Sequence, residues 1–247
     1  MSVDRAALNG NGTHGTRLVL FDIDGTLLLT DGAGRRAIHR ALVEVFGGTG
    51  PTDHWFDGKT DPQIVREVMR LAGRSDAHID ERMQASLDRY VELLDEELRD
   101  PNYEPHVMPG VLQLLDALEA RSDVLLGLLT GNLASGARAK LEAVGIAHAR
   151  FAVGAYGSDH ELRPELPAIA QRRTREACGV DVLGENVVVI GDTPADMECG
   201  RGIGARAIGV ATGRFSTTAL ASAGAHSVFE TLEGTDAVLD AICSRSN

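Results

Sequence analysis

The chain has 247 residues, 43% hydrophobic and 24% charged, the balance of an ordinary globular protein with room for one large domain or two small ones. Its net charge of −12 argues against nucleic acid and anionic membranes as partners, although a locally positive site can still take an anionic substrate. No apolar run approaches the ~20 residues of a membrane span, and Cys178, Cys199 and Cys243 form no C-x-x-C pair, which argues against structural zinc and suits a reducing cytoplasm.

Residues 1–15 read as a flexible tail, polar and glycine-rich, without the apolar core of a signal peptide. The run Arg17-Leu18-Val19-Leu20-Phe21 then reads as a buried strand, and it stops at Asp22 and Asp24 with Gly25 behind them. From 31 to 104 the pattern is helical. One helix is expected over Arg35 to Phe46, with Ile38, Leu42, Val45 and Phe46 on one face. The loop 53–60, which holds the only Trp, precedes a helix N-capped by Asp61 that opens on Pro62 and ends before Gly73. Trp55 and Phe56 are expected to pack within this helical block. Ala77 to Arg99 carries Ile79, Met83, Leu87, Val91, Leu94 and Leu98 at helical spacing.

After 104, strands and helices alternate. Pro109 opens a helix, Val124 to Leu129 is a strand, and Thr130-Gly131-Asn132 leads into a helix capped by Asn132. Strands follow at Phe151 to Val153, Val187 to Ile190, Ala207 to Val210 and Ser227 to Phe229, with a helix from Arg163-Pro164 to about Cys178. This alternation means βαβ units. The expected fold is a Rossmann-like α/β parallel-sheet core built from 16–30 and 105–247, with an inserted all-helical cap over 31–104.

Polar clusters directly follow three of the strands, and in a parallel sheet such clusters converge at one edge. Asp22, Asp24 and Asp192 are hard oxygen ligands of the kind Mg²⁺ takes. Asp196, one turn beyond Asp192, reads as a supporting contact to the metal or as a first-turn acid favoured by the helix dipole. Thr130, Gly131 and Asn132 lie at a helix N-terminus, where free N–H groups attract an anion, although Asn132 also reads as a plain N-cap.

In this order, Asp22-x-Asp24-Gly25-Thr26, Thr130-Gly131-Asn132, Arg163-Pro164 and Gly191-Asp192-Thr193-x-x-Asp196 resemble the motifs of the haloacid dehalogenase (HAD) superfamily, and most closely its phosphoglycolate-phosphatase-like branch. The resemblance spans the chain after the tail. It implies a Mg²⁺-dependent phosphatase acting on a small phosphorylated metabolite, as a monomer or homodimer. Asp22 would be the nucleophile and Asp24 the general acid and base. Asp22, Asp192 and the Asp24 backbone would hold the metal, with Thr130, Gly131, Asn132 and Arg163 on the phosphate. The family usually has lysine in its third motif, where this chain has Arg163. Lys140, one of only two lysines, is set aside because it falls inside a helix. Lys59, on the cap loop, is a candidate contact to a second anionic group of the substrate; Arg35 and Arg36 flank the hinge, with a solvated face as the default. A β-phosphoglucomutase-like phosphotransferase and a non-catalytic binding protein on the same scaffold remain alternatives. Asp24 counts against the dehalogenase and phosphonatase branches.

Overall fold

The structure is a computed structural model that describes residues 15–244; the expected tail, apart from Gly15, lies outside them. Strand β1 (Arg17–Phe21) is the centre of a six-stranded sheet whose pairs are all parallel. Its neighbours are β4 (Val124–Leu129) and β6 (Val187–Gly191). Beyond β4 lies β5 (Val153–Ala155), and beyond β6 lie β7 (Arg206–Val210) and β8 (Ser227–Phe229), giving the order β5-β4-β1-β6-β7-β8. Every residue of β1 is buried, because both sheet faces are covered. Val19 and Phe21 enter one hydrophobic cluster, with Leu114, Leu118 and Ile242, while Leu18 and Leu20 enter the other, with Leu166 and Ala170. This is the period-2 alternation of a strand. Each such side chain contributes roughly 1.5–3 kcal/mol of burial.

The chain passes from β1 to one side of the sheet and returns to the other, so β1 lies at a switch point. The crevice at the carboxyl ends of β4, β1 and β6 is where such sheets bind ligands.

Between β1 and β4 lie α1 (Ala33–Phe46), α2 (Asp61–Leu71) and α3 (Asp76–Leu98). They bury their own core, including Ile38, Leu42, Val65, Met69, Ile79 and Leu93. A two-stranded antiparallel ribbon, β2 (Leu28–Leu29) and β3 (His106–Val107), ties their two ends together. Around the sheet run α4 (Val111–Glu119), α5 (Ala134–Ala143), α6 (Leu166–Cys178), α7 (Pro194–Cys199), α8 (Thr217–Ser222) and α9 (Thr235–Cys243).

Four local expectations change. Helix α1 starts two residues early, at Ala33, because Gly32 takes a left-handed φ of 80° and turns the chain into it. The N-cap of α2 is Thr60, whose hydroxyl accepts from the Gln63 N–H at 3.2 Å; Asp61 is the first helical residue and is buried. The third core strand is shifted to 153–155, since Phe151 ends a 3-10 turn and packs into the core. Trp55 is exposed, with the Arg214 guanidinium 4.2 Å from its ring centre, so only Phe56 packs against the helical core.

Candidate active site

The sequence places the site by where its strands stop. Asp22 directly follows β1, Thr130 follows β4 and Asp192 follows β6. All three are buried and line one cavity of about 220 Å³ between the sheet edge and the helices α1–α3. Asp24, Lys59, Gly131, Asn132 and Arg163 line it too, so of the expected site residues only Asp196 does not reach the wall.

Asp22, Asp192 and Asp196 bring carboxylate oxygens within 4.8 Å of one another. Burial pushes the Asp22 carboxyl up to about 7, against the lowering effect of Arg163. Burial, with Asp196 and Asp22 close by, raises Asp192 well above the usual carboxylate range. Among the described residues its one side-chain donor is the Thr26 hydroxyl, at 3.1 Å. Gly25 and Gly213 are glycines at positions where any Cβ would run into the Asp192 carboxyl group. The Asp196 carboxylate is already engaged. One oxygen pairs with Arg163, and the other accepts from the Thr193 N–H at 3.0 Å and the Thr193 hydroxyl at 2.7 Å, closing a capping box at the start of α7. Asp196 is thus a support for Arg163 and for the Asp192 loop.

Arg163 begins a 3-10 turn ahead of α6 and is buried. Its Nη2 donates to Asp22 Oδ1 at 2.9 Å, to the Leu129 carbonyl at 3.3 Å and to Asp196 Oδ1. Burial opposes its charge, but Asp196 and Asp22 outweigh burial and hold its proton tightly. All these bonds use one nitrogen, and among the described residues Nε is buried without a hydrogen-bond partner of ordinary geometry. Arg163 therefore works as a point charge toward its carboxylates, whereas the sequence suggests a guanidinium fork.

Asn132 does not cap α5. The helix begins at Ala134 after Leu133 with no side-chain cap. The Asn132 amide instead donates to Asp24 Oδ2 and to the Thr130 hydroxyl, each at 2.7 Å. The Thr130 oxygen accepts, which leaves its own O–H to point elsewhere.

Lys140 corrects the sequence reading most. It lies on α5, yet its ammonium reaches Asp24 Oδ1 at 2.8 Å, Asp24 Oδ2 at 2.7 Å and Asn132 Oδ1 at 2.6 Å, and it lines the cavity. Being inside a helix did not remove it, because two turns of helix bring position 140 back beneath the strand edge that Asn132 occupies. Lys59 and Lys140 are the only lysines in the sequence, and both line the cavity. Asp61, expected only to cap, accepts from the Leu133 N–H at 2.8 Å and so joins α2 to the sheet edge. Burial raises its carboxyl to about 6, with Lys140 acting in the opposite sense. Lys59 is already paired with Glu67 and hydrogen-bonded to His54 at 3.1 Å. Arg35 also lines the cavity, its guanidinium 3.9 Å from the Phe56 ring centre, whereas Arg36 turns away to Glu97.

The family model for haloacid dehalogenase-like hydrolases matches residues 19–201, which takes in every strand-end cluster above. The chain belongs to this family. No curated protein matches it at the level of sequence. Among solved structures, a hydrolase from Pseudomonas syringae is 22% identical, with a TM-score of 0.71 over 93% of this chain and 100% of that one. A predicted phosphoglycolate phosphatase from Haemophilus somnus is 20% identical, with a TM-score of 0.65 over 93% of this chain and 100% of that one. CbbY from Rhodobacter sphaeroides, solved in complex with phosphate, is 23% identical, with a TM-score of 0.60 over 88% of this chain and 95% of that one. These likenesses show a shared fold over 88–93% of the chain. As a HAD-like hydrolase the protein is an enzyme, and no described helix is long and apolar enough to cross a membrane.

Proposed function

We propose that this HAD-like hydrolase is a Mg²⁺-dependent phosphatase that cleaves a small phosphorylated metabolite through an aspartyl-phosphate on Asp22. The observation that supports this most is the meeting of Asp22, Asp24 and Asp192 with Arg163 and Thr130 on one cavity wall. The donor set suits a small hard cation. Asp192 is a buried carboxylate facing two others, with no basic side chain bonded to it among the described residues, in a cradle that a Cβ at Gly25 or Gly213 would fill. Asp22 and Asp192 side chains and the Asp24 backbone carbonyl would hold Mg²⁺, which when bound supplies the charge that lets a carboxylate approach a phosphate.

The chain's own residues do the rest. Asp22, pinned at Oδ1 by Arg163, attacks phosphorus and releases the alcohol. The Thr130 hydroxyl, the Gly131 backbone N–H and Arg163 stabilise the equatorial oxygens, where charge spreads in a loose transition state, while Asn132 holds Thr130 and Asp24 in place. Asp24 protonates the departing alcohol and then takes a proton from the attacking water. The helical unit 31–104 acts as the cap that selects the substrate. Phosphoglycolate is the first candidate, because the motifs resemble that branch. Lys59 lines the cavity with its charge already paired to Glu67, so Arg35 is the cavity-wall cation better placed to meet a distal anionic group. No disulfide forms among the described residues, which fits a cytoplasmic location.

Phosphate release from a panel of phosphorylated metabolites, with and without Mg²⁺, tests the reading. Mg²⁺-dependent release from a small monoester supports it. Isomerised product without release would make the protein a mutase, and no turnover of any ester would make it a binding protein.

A further inference from the structure

We propose that Lys140 is a positioning residue for Asp24 and that its main effect falls on hydrolysis of the phosphoenzyme. The proposal rests on the reading of Asp22 as nucleophile and Asp24 as acid and base. The Asp24 side chain is 42% exposed toward the cavity, and a carboxylate so placed has little protein around it to fix its plane. Three donor contacts fix it: the Lys140 ammonium to both oxygens, and the Asn132 amide to Oδ2. Lys140 is itself held. Its side chain is only 5% exposed, and Asn132 Oδ1 accepts from it at 2.6 Å. Asn132 thus bonds Lys140 with its oxygen and Asp24 with its nitrogen, closing a ring of three side chains.

The helical unit covers this ring. A Cβ at Gly34 of α1 would lie 3.2 Å from the Lys140 ammonium and 3.7 Å from the Tyr90 hydroxyl of α3. Asp61 of α2 is near enough to feel the Lys140 charge. Glycine at 34 leaves the ammonium room between the cap helices and Asp24. Lys140 contributes to the cavity wall from the core side, and its acceptors on Asp24 and Asn132 are core residues too.

The consequence concerns the second half of the reaction. Water oxygen attacks phosphorus, the bond from phosphorus to the Asp22 oxygen breaks, and the water proton passes to Asp24. Asp22 returns as a carboxylate and inorganic phosphate leaves. That proton transfer requires a lone pair of Asp24 aimed at one water. In the first half-reaction, an ester with a good leaving group needs little help from Asp24. Loss of the Lys140 clasp therefore slows the second half more than the first.

The test is a rapid-mixing experiment with p-nitrophenyl phosphate and Mg²⁺ on the full chain carrying Lys140→Met, and on Lys140→Arg, which keeps a cation. Lys140→Met should give a burst of nitrophenolate close to one per enzyme, then a steady state at least ~10-fold slower than wild type, equal to about 1.4 kcal/mol. Lys140→Arg should recover part of the steady-state rate. A steady state within about twofold of wild type, or burst and steady state falling in parallel, overturns the proposal. Asp24→Asn is run beside them. If it gives the burst and Lys140→Met does not, Lys140 alone is misassigned. If Asp24→Asn leaves hydrolysis untouched, the acid–base reading of Asp24 is what fails. A Lys140→Met chain that fails to fold, seen by circular dichroism, is replaced by Lys140→Gln, for which the same two outcomes decide.

Discussion

Replacing Arg163 by lysine should leave a working enzyme, and replacing it by methionine should not. The reason is in the bonds. Asp22 Oδ1, Asp196 Oδ1 and the Leu129 carbonyl all accept from the single atom Nη2. An ammonium, with three donors, can serve the same partners. Nε takes no part in these bonds, so the lysine variant loses none of them. Methionine would remove the cation from among three acids whose oxygens lie within 4.8 Å. Breaking a buried pair in this way costs about 3–5 kcal/mol of stability, and losing the contact to the phosphate should cost ~100-fold or more in kcat. Urea unfolding and kcat/KM on a good phosphate ester, at saturating Mg²⁺, measure both effects. Arg163→Lys should lie within ~1 kcal/mol and about tenfold of wild type. A lysine variant as inactive as the methionine variant would show that the guanidinium shape, and not its charge, is what the site uses.

The Asp61 carboxyl is raised from 3.8 to about 6, so the folded chain binds its proton more tightly than the unfolded one. The stability from this group is whole below pH ~4 and is lost as pH climbs to about 6, roughly 3 kcal/mol in all. Asp61→Asn should flatten that slope in denaturant titrations, and an unchanged slope would exclude Asp61 as its source. Asp22 is raised to about 7 in the same sense, so a cation bound there displaces a proton. Mg²⁺ should then raise Tm more at pH 8 than at pH 5, and equal shifts at both would place the cation elsewhere. Gly131→Ala would drive a Cβ into the Lys59 backbone carbonyl and part the cap loop from the sheet edge. Activity should fall more than ~tenfold while the circular dichroism spectrum persists, and full activity would mean that this close approach is dispensable.

The fold was legible because its signals are local. Buried strands read as apolar runs that stop at turn residues, and β4 and β8 fall at 124–129 and 227–229 as expected. The helical insertion followed from the change of period. The positions of Asp22, Asp192 and Thr130 were legible too, since a parallel sheet sends all its strand ends to one edge. Errors arose where a contact spans the chain. Asn132 looks like an N-cap because Asn commonly is one, but Asp24 lies 108 residues away in sequence and claims its amide. Lys140 is set aside in sequence because it falls inside a helix, until Asp24, 116 positions earlier, is folded against it. Asp61 and Thr60 differ by one residue in their claim to cap α2, and the Leu133 N–H, supplied by the core, decides between them. Trp55 fits the apolar pattern of the cap, yet it sits beneath Arg214 at the surface.

The central claim is that Asp22 carries the phosphoryl group between the two halves of the reaction. The most direct measurement is acid quenching during turnover of a phosphate ester with Mg²⁺, followed by mass analysis of the peptides. The account predicts a hydroxylamine-labile phosphate on the peptide that contains Asp22, absent from Asp22→Asn, which should also fail to turn over. Turnover by Asp22→Asn at the wild-type rate, or a phosphate found on another residue, would contradict it.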